Sequence, residues 1–256
     1  MFSNIFSKLN LSSPIQVDTR LHDSTLRQGD LLTGEVHLKT KEDAQVEYIQ
    51  LQLCVTYRDE EYTKELSYHV HTIEDSFMLW ASQGVVSIPF EFILPPDSPI
   101  SSKHSRIFIR TKVKSNKNGL FEKTDTDYLN VCPQNTFQHI LDRVEQKGFR
   151  LKEIEIEMDP YGKKTTIVGR NFLQEFDFEP NRFSHHAGKM SEIEVALLDS
   201  DNQGNIVVLF SVEKYAQTFS EMFSNPEKKW IVEVAANQPA HYYEQIVQNA
   251  LDRFIY

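Results

Sequence analysis

The sequence predicts an all-β protein built from two antiparallel β-sandwich domains in tandem. Every second residue from Ile49 to Tyr57 is apolar, the clearest alternation in the chain, as a half-buried strand requires. A second strand, residues 85–94, stops at Pro95-Pro96, and residues 174–180 repeat the arrangement of alternating phenylalanines followed by a proline. One such unit in each half favours two related domains, which we place at residues 1–132 and 133–256.

Alternation of period two predicts strands through both halves. The segments expected as strands are residues 15–19, 32–38, 48–57, 65–73, 76–80, 85–94, 107–113, 128–131, 154–158, 193–197 and 206–212. Arg27, Gln28, Gly29 and Asp30 are expected to form a turn before the second strand.

Three short helices are expected around these strands. Phe137, Ile140, Leu141 and Val144 recur at helical spacing, with Asn135 or Thr136 as the cap and Gly148 as the stop, which predicts a helix at the domain junction. Tyr242, Ile246, Val247, Ala250 and Phe254 predict a helix near the carboxyl end.

The third helix is expected in residues 1–10, where Phe2, Ile5, Phe6 and Leu9 form an apolar stripe. Docking of that stripe onto the first sandwich is the favoured interpretation, because so short a helix is marginal on its own. Weak peripheral membrane contact through residues 1–10 is the alternative, although Lys8 alone supplies little of the cationic face that such binding uses.

Composition and charge exclude several classes of protein. The net charge is −10, with 14 basic against 18 acidic residues up to Cys132 and 13 against 19 after it. Neither half has the basic excess of a nucleic-acid-binding domain. No apolar run approaches the ~20 residues that span a bilayer, and the amino terminus lacks the apolar core of a signal peptide. We therefore expect a cytoplasmic protein.

No recognised catalytic or cofactor motif occurs in the chain. The Gly-x-Ser-x-Gly elbow, the Walker loop and the Gly-x-Gly-x-x-Gly loop are all missing from the sequence. The carboxylates alternate along strands, where solvated outer faces explain them. We therefore predict a protein that is not an enzyme, with no catalytic residue and no cofactor.

Candidate metal ligands are weak as well. The loop from Asp199 to Asn205 resembles the start of an EF-hand, but Phe210 occupies the twelfth place, which predicts a polar hairpin turn. His69 and His71 share a strand face, and His185-His186 could add a ligand, yet no carboxylate or thiol motif accompanies them. No metal site is predicted. The two cysteines, Cys54 and Cys132, are interpreted as reduced thiols, with a single disulfide left open.

One strand carries a concentrated positive charge. Arg106, Arg110, Lys112 and Lys114 share a face of the strand at residues 107–113. The simpler interpretation is cross-strand pairing with neighbouring acids, such as Glu91 or those of residues 122–127. The functional interpretation is contact with an acidic partner, and these four side chains are our candidate partner-binding residues.

Several short stretches, in this order and spacing, resemble the arrestin-like superfamily and in particular its bacterial sporulation-control (stage-zero M) family. The matching stretches, spread over residues 17–198, are Gln28-Gly29-Asp30, Gly34-Glu35-Val36, residues 49–53, 88–95 with Pro99, 107–113, 142–153 and 174–180. The resemblance implies two tandem arrestin-like β-sandwiches and a non-enzymatic intracellular adaptor or regulator. In spore-forming bacteria the family is linked to control of entry into sporulation.

Two hypotheses for the function follow. The first is an adaptor that binds protein partners through strand edges, the basic strand face or the groove between the sandwiches. The second is a ligand-binding module for sugars or metals, in which Trp80 and Trp230 could stack on sugar rings, although large aromatics in strands usually belong to the core.

Overall fold

The computed structural model describes residues 15–59, 62–116, 120–158, 171–213 and 228–255. These residues form thirteen strands and two α-helices, joined by turns and one short 3-10 segment. Apart from one short parallel pair, every strand pairing among them is antiparallel, so the predicted all-β class is confirmed. The helix expected at residues 1–10 lies outside the described residues.

The first half of the chain is a sandwich of two sheets. Its strands are β1 (Ile15–Leu21), β2 (Thr25–Arg27), β3 (Leu31–Thr40), β4 (Ala44–Asp59), β5 (Tyr62–Leu79), β6 (Val85–Ile93), β7 (Arg106–Asn116) and β8 (Leu120–Cys132). One sheet has the order β2-β8-β7-β4-β5 and the other β1-β3-β6. Both bury one face, because Leu51 and Ile109 of the larger sheet and Leu32 and Val36 of the smaller one are completely inaccessible to solvent.

The two sheets are joined along one side and open along the other. On the joined side Thr19 of β1 donates its N–H to Asp125 of β8 at 2.6 Å, and its hydroxyl lies 2.5 Å from that of Thr111 on β7. On the other side β5 and β6 are the terminal strands of their sheets. The short connection of residues 80–84 joins them at one end, and His71 of β5 stacks on Phe92 of β6 at 4.7 Å.

The second half contains a five-stranded sheet and two helices. Its elements are α1 (Asn135–Gln146), β9 (Phe149–Met158), β10 (Phe172–Pro180), β11 (Glu192–Ser200), β12 (Ile206–Glu213), β13 (Lys228–Val234) and α2 (Ala240–Ile255), with the sheet order β13-β12-β11-β10-β9. Phe137 of α1 meets Phe176 of β10 edge to face at 5.1 Å. Leu173 and Leu209, on the opposite face of the sheet, are also buried, so both faces of this layer are covered.

The proline turn after β6 is the point where the two halves of the chain meet. Pro95 accepts a bond from the N–H of Ser98, which closes the turn, and Ser98 and Ile100 are both buried. Gln134, just before α1, donates its side-chain amide to the carbonyl of Pro96 at 3.2 Å. Gln174 of β10 binds the main chain of Ile100. The turn is therefore held from the second half by two glutamine side chains.

Several expectations about elements need correction. The segments expected at residues 65–73 and 76–80 are one continuous 18-residue strand, β5, because bulges opposite Ile49 and Leu53 keep it paired with β4. The cap of α1 is Gln134 rather than Asn135 or Thr136, and its side chain makes no capping bond because it binds Pro96 and Ser200 instead. The short strand β2 and the strand β13 were not expected.

Cys54 is buried in β4, Cys132 ends β8, and neither forms a disulfide. In the described part of the chain, neither helix is both long enough and apolar enough to cross a bilayer.

Candidate functional site

The four predicted partner-binding cations lie together on the outer face of β7, because residues two apart in a strand point the same way. Three of them form cross-strand ion pairs. Arg110 makes a two-pronged pair with Glu65 of β5 at 2.6 and 2.7 Å, Lys112 lies 3.2 Å from Glu122, and Lys114 lies 2.9 Å from Glu47. Glu122 falls in the acidic segment named as a pairing candidate, whereas Glu91 lies in the other sheet.

These pairs balance most of the positive charge of the face. The two hydrogen bonds that Arg110 donates to Glu65 lower the pKa of Glu65 and raise the pKa of Arg110. The guanidinium of Arg110 also lies 5.2 Å from the ring of buried Phe108. Among the described residues Arg106 makes no ion pair. An acidic partner would therefore have to displace acids already bound to three of the four cations.

The open side of the first sandwich presents two free strand edges. β5 pairs with β4 alone and β6 with β3 alone, so the outer edge of each strand directs N–H and C=O groups away from its sheet. Large apolar side chains are unusually exposed along this side: Val70 at 48%, Met78 at 38%, Trp80 at 45% and Val85 at 49%. Main-chain groups and apolar side chains are the two components of strand addition.

The histidine pairs considered as weak metal-ligand candidates pack on aromatic rings. His69 and His71 stack on Phe92 at 5.9 and 4.7 Å, and burial lowers the pKa of His69. His186 instead stacks on Phe149 of β9 at 4.9 Å and on its neighbour His185 at 3.7 Å. The two pairs therefore contact different aromatic residues, one in each half of the chain.

The remaining sequence candidates also have structural roles. The loop after Asp199 is the predicted polar hairpin turn between β11 and β12, in which the Asp201 carboxylate accepts bonds from the N–H groups of Gln203 and Asn205 at 2.8 and 2.9 Å. Trp230 packs on Phe210 at 5.8 Å, under the guanidinium of Arg253. Trp80 lies exposed at the end of β5.

An acidic cleft between the two halves was missed by the sequence analysis. It encloses about 790 Å³, between Tyr57 and Arg58 of β4 and one face of β9, β10 and β11. The carboxylates that line it are Glu153, Glu155, Glu157, Glu175, Asp177, Glu192 and Glu194. Each strand contributes acids two residues apart, and the register places Asp177 opposite both Glu153 and Glu194. The acids had been interpreted as separate solvated faces, because nothing local in the sequence shows that three strands are neighbours.

Seven carboxylates outnumber the two cations, Arg58 and Lys152, that also line this cleft. Burial, followed by the charges of Glu192, Glu194 and Glu155, raises the pKa of Asp177 to about 7. Burial and the adjacent Glu153 likewise raise the pKa of Glu155. Lys152, 2.5 Å from Glu192, offsets part of the charge. Within the described ranges, Asp177, Glu192 and Glu194 are the one group of side chains close enough to share a metal ion.

Comparison with known proteins agrees with this architecture. The family model described as SpoOM protein matches residues 2–216. The sporulation-control protein Spo0M of Bacillus subtilis (strain 168) is 29% identical over 268 residues, covering 98% of this chain and 99% of that protein. The crystal structure of Spo0M from Bacillus subtilis superposes with a TM-score of 0.78 at 25% identity, covering 94% of this chain and 99% of that one.

The likeness extends beyond the residues that first suggested it, since the bacterial relative spans almost the whole chain and includes the segment after β12. The family is one of sporulation-control regulators and not a known enzyme family. A family model that covers most of the chain, together with a shared fold over 94% of its length, places the protein: it belongs to the Spo0M family of sporulation-control proteins.

Proposed function

We propose that the protein is a non-enzymatic cytoplasmic regulator that binds an extended segment of a protein partner along the free edge of β5. The observation that carries the proposal is the edge itself. β5 runs for 18 residues, and β4 is the one strand to which it is hydrogen-bonded. A partner segment that adds to this edge gains main-chain hydrogen bonds without needing a distinctive binding motif in this chain.

The length of β5 and its lack of a proline favour such addition. Natural sheets guard their edges with charged side chains, prolines, bulges and short strands. The edge strand β6 contains Pro89, and β13 begins with Lys228 and Lys229. β5 is the longest of the described strands and has no proline, and its guards are Lys64, three acids and two bulges. We expect an edge left open in this way to be used.

The basic face of β7 is the less favoured surface. A partner there has to break existing ion pairs, because Arg110, Lys112 and Lys114 each already contact a glutamate. No described strand is hydrogen-bonded to the outer edge of β5, although its Glu65 pairs with Arg110 and its Tyr68 meets Phe172 of β10. The family's role in sporulation control supports a regulator, and the partner segment and the site are our proposal.

Proline substitution tests the edge directly. Successive N–H groups of a strand point to opposite edges. Val70→Pro and His71→Pro therefore remove donors from opposite edges of β5: one variant loses a hydrogen bond to β4, and the other, the outward variant, loses an N–H of the free edge. Both residues lie in a regular part of the β4–β5 register. Partners captured from a lysate of the source organism by the wild type should be lost with the outward variant, once circular dichroism shows it to be folded. His71→Ala controls for loss of the stacking on Phe92.

The double variant Arg110→Glu/Lys112→Glu is compared in the same experiment. Partners retained by this variant and lost by the proline variant support the β5 edge. Loss with the charge variant alone would move the site to the basic face. If both folded variants retained the partners, neither the β5 edge nor the basic face would be the binding site, and the cleft between the halves would be the remaining candidate.

A further inference from the structure

The turn between β10 and β11 is tied to the corner where α1 meets β9. Residues 181–190 form this turn, and Asn181 donates its N–H to the carbonyl of Gly148 at 2.8 Å. Most of its side chains face solvent, including Phe183, which is 95% exposed. Two side chains of the turn are buried, namely His186 and Met190, each 1% exposed. The turn is therefore held closed by two side-chain anchors.

His186 is an unusual anchor. Its ring lies on Phe149, with centroids 4.9 Å apart, and the ring of His185 lies against it at a tilt, with centroids 3.7 Å apart. Neither ring nitrogen has a hydrogen-bond partner, although both are shielded from solvent. A neutral imidazole tolerates this position as an aromatic ring, but an imidazolium would bury a charge and two donors without an acceptor.

The charged groups that face His186 oppose its protonation further. They are His185 and Lys189 from its own turn and Lys147 from the end of α1. From β9 it is faced by apolar Phe149, and the nearby Ser184 is neutral. The carboxylate of Glu244 on α2 lies beyond Lys147, which it binds at 2.9 Å. Every titratable group that faces the ring therefore carries or gains positive charge.

We propose that His186 is an acid-sensitive latch, whose protonation releases the turn at residues 181–190 from the α1–β9 corner and uncovers Phe149. In the open turn the imidazolium reaches water, which supplies the hydrogen bonds that the closed site lacks. The buried ring of Phe149 then becomes accessible beside the already exposed Phe183. A fall in pH would thereby expose a new apolar surface at one end of the five-stranded sheet of the second half.

The direction of the pH dependence follows from the two states. Burial, with the neighbouring cations, lowers the pKa of His186 from the ordinary 6.5 to about 4 in the closed turn. The open turn therefore binds the proton more tightly, so the closed state is fully stable above pH 6.5 and loses stability as the pH falls towards 4. Between pH 7 and pH 5 the opening equilibrium should rise on the order of 20-fold.

Amide hydrogen exchange at pH 7 and pH 5, corrected for the intrinsic exchange rates, measures this opening. In the full chain, protection of the turn amides should fall roughly 20-fold at pH 5, whereas strand amides such as those of Val195 and Phe210 should not lose protection in parallel. His186→Phe keeps an aromatic ring on Phe149 and removes the titration, so its turn should change less than about twofold. His22→Phe, a substitution at an exposed histidine of the first half, is the matched control and should behave as the wild type.

Two results would overturn the latch. One is turn protection in the wild type that does not change with pH, and the other is a His186→Phe turn that loses protection as the wild type does. Should His186→Phe fail to fold, the imidazole of His186 can be titrated by NMR in the wild type. A pKa well below 6.5 supports the latch, and a value at or above 6.5 refutes it.

Discussion

Gln174 binds Ile100 through both ends of its side-chain amide: its carbonyl accepts the N–H of Ile100 at 2.8 Å and its NH₂ donates to the Ile100 carbonyl at 2.9 Å. Both residues are buried, and they belong to different halves of the chain. A glutamine side chain here imitates a strand neighbour for one residue of the proline turn. The contact positions the acidic cleft as well, because Glu175 and Asp177 follow on the same strand.

Replacing Gln174 by alanine should destabilise the protein by about 1–3 kcal/mol, because it leaves the N–H and the C=O of Ile100 buried without partners. Urea unfolding followed by circular dichroism measures the loss. Gln45→Ala is the matched control, since the Gln45 amide is exposed and binds Ser76 near the surface. Equal effects of the two substitutions would show that the Gln174 bonds contribute nothing beyond a surface amide.

Asp127 should make the first sandwich less stable as the pH rises from about 4 to about 7. Burial, with Asp125 and Asp18 nearby, raises its pKa from the ordinary 3.8 to about 7 in the folded protein. The folded state therefore holds a proton that the unfolded state has already lost, and this contribution is present at about pH 4 and lost by about pH 7. Asp127→Asn should abolish that part of the pH dependence.

Above pH 7 the Asp127→Asn protein should be more stable than the wild type by on the order of 1 kcal/mol, a figure reduced for the partial exposure of the side chain. Thermal unfolding at pH 5 and pH 8 provides the measurement. Asp75→Asn, an exposed aspartate on β5, should leave the pH dependence unchanged. The assignment would be contradicted if the stability of the wild type rose between pH 5 and pH 8 and the stability of Asp127→Asn rose by the same amount.

The Arg110–Glu65 pair should contribute less than its short distances suggest. Both side chains are partly exposed, at 27% and 40%, so solvent screens the attraction. A double-mutant cycle with Arg110→Ala and Glu65→Ala should give a coupling energy of about 0.5–1 kcal/mol. The exchanged variant Arg110→Glu/Glu65→Arg should recover most of the stability that Arg110→Glu alone loses. Failure to recover would mean that the contact of Arg110 with Phe108, rather than the ion pair, stabilises this face.

Gly34 should tolerate no side chain. A Cβ at this position would lie 2.5 Å from the carbonyl oxygen of Arg20 and 2.7 Å from the ring of Phe90, so the backbone of β1 would have to move. Gly34→Ala should destabilise the protein by about 3 kcal/mol, the upper end for overpacking. At Gly84 nothing lies within 4 Å and the backbone has φ 72° and ψ −126°, outside the left-handed helical region, so Gly84→Ala isolates the conformational cost, roughly 1–3 kcal/mol. Chemical unfolding of both variants distinguishes steric from conformational cost.

Local sequence determined the elements whose pattern is complete within one segment. The alternation from Ile49 to Tyr57 identified β4 because every inward residue of that strand is buried, and the helical spacing from Phe137 to Val144 identified α1 for the same reason. β13 was missed because Trp230, Ile231 and Val232 follow one another without the alternation that marks a strand, so its pairing with β12 defines it. The division of domains after Cys132 stays a prediction.

The sequence alone determined the β class, the proline turn, the family resemblance and which cations share a strand face, because a strand repeats every two residues and these features need no knowledge of neighbouring strands. Only the tertiary structure decided that three of those cations are paired, that seven carboxylates from three strands line one cleft, and that Gln174 joins the two halves. These features depend on strand order and register, which bring together distant residues such as Gln174 and Ile100, 74 positions apart in the chain. The packing of the whole core selects that order, and no local pattern encodes it.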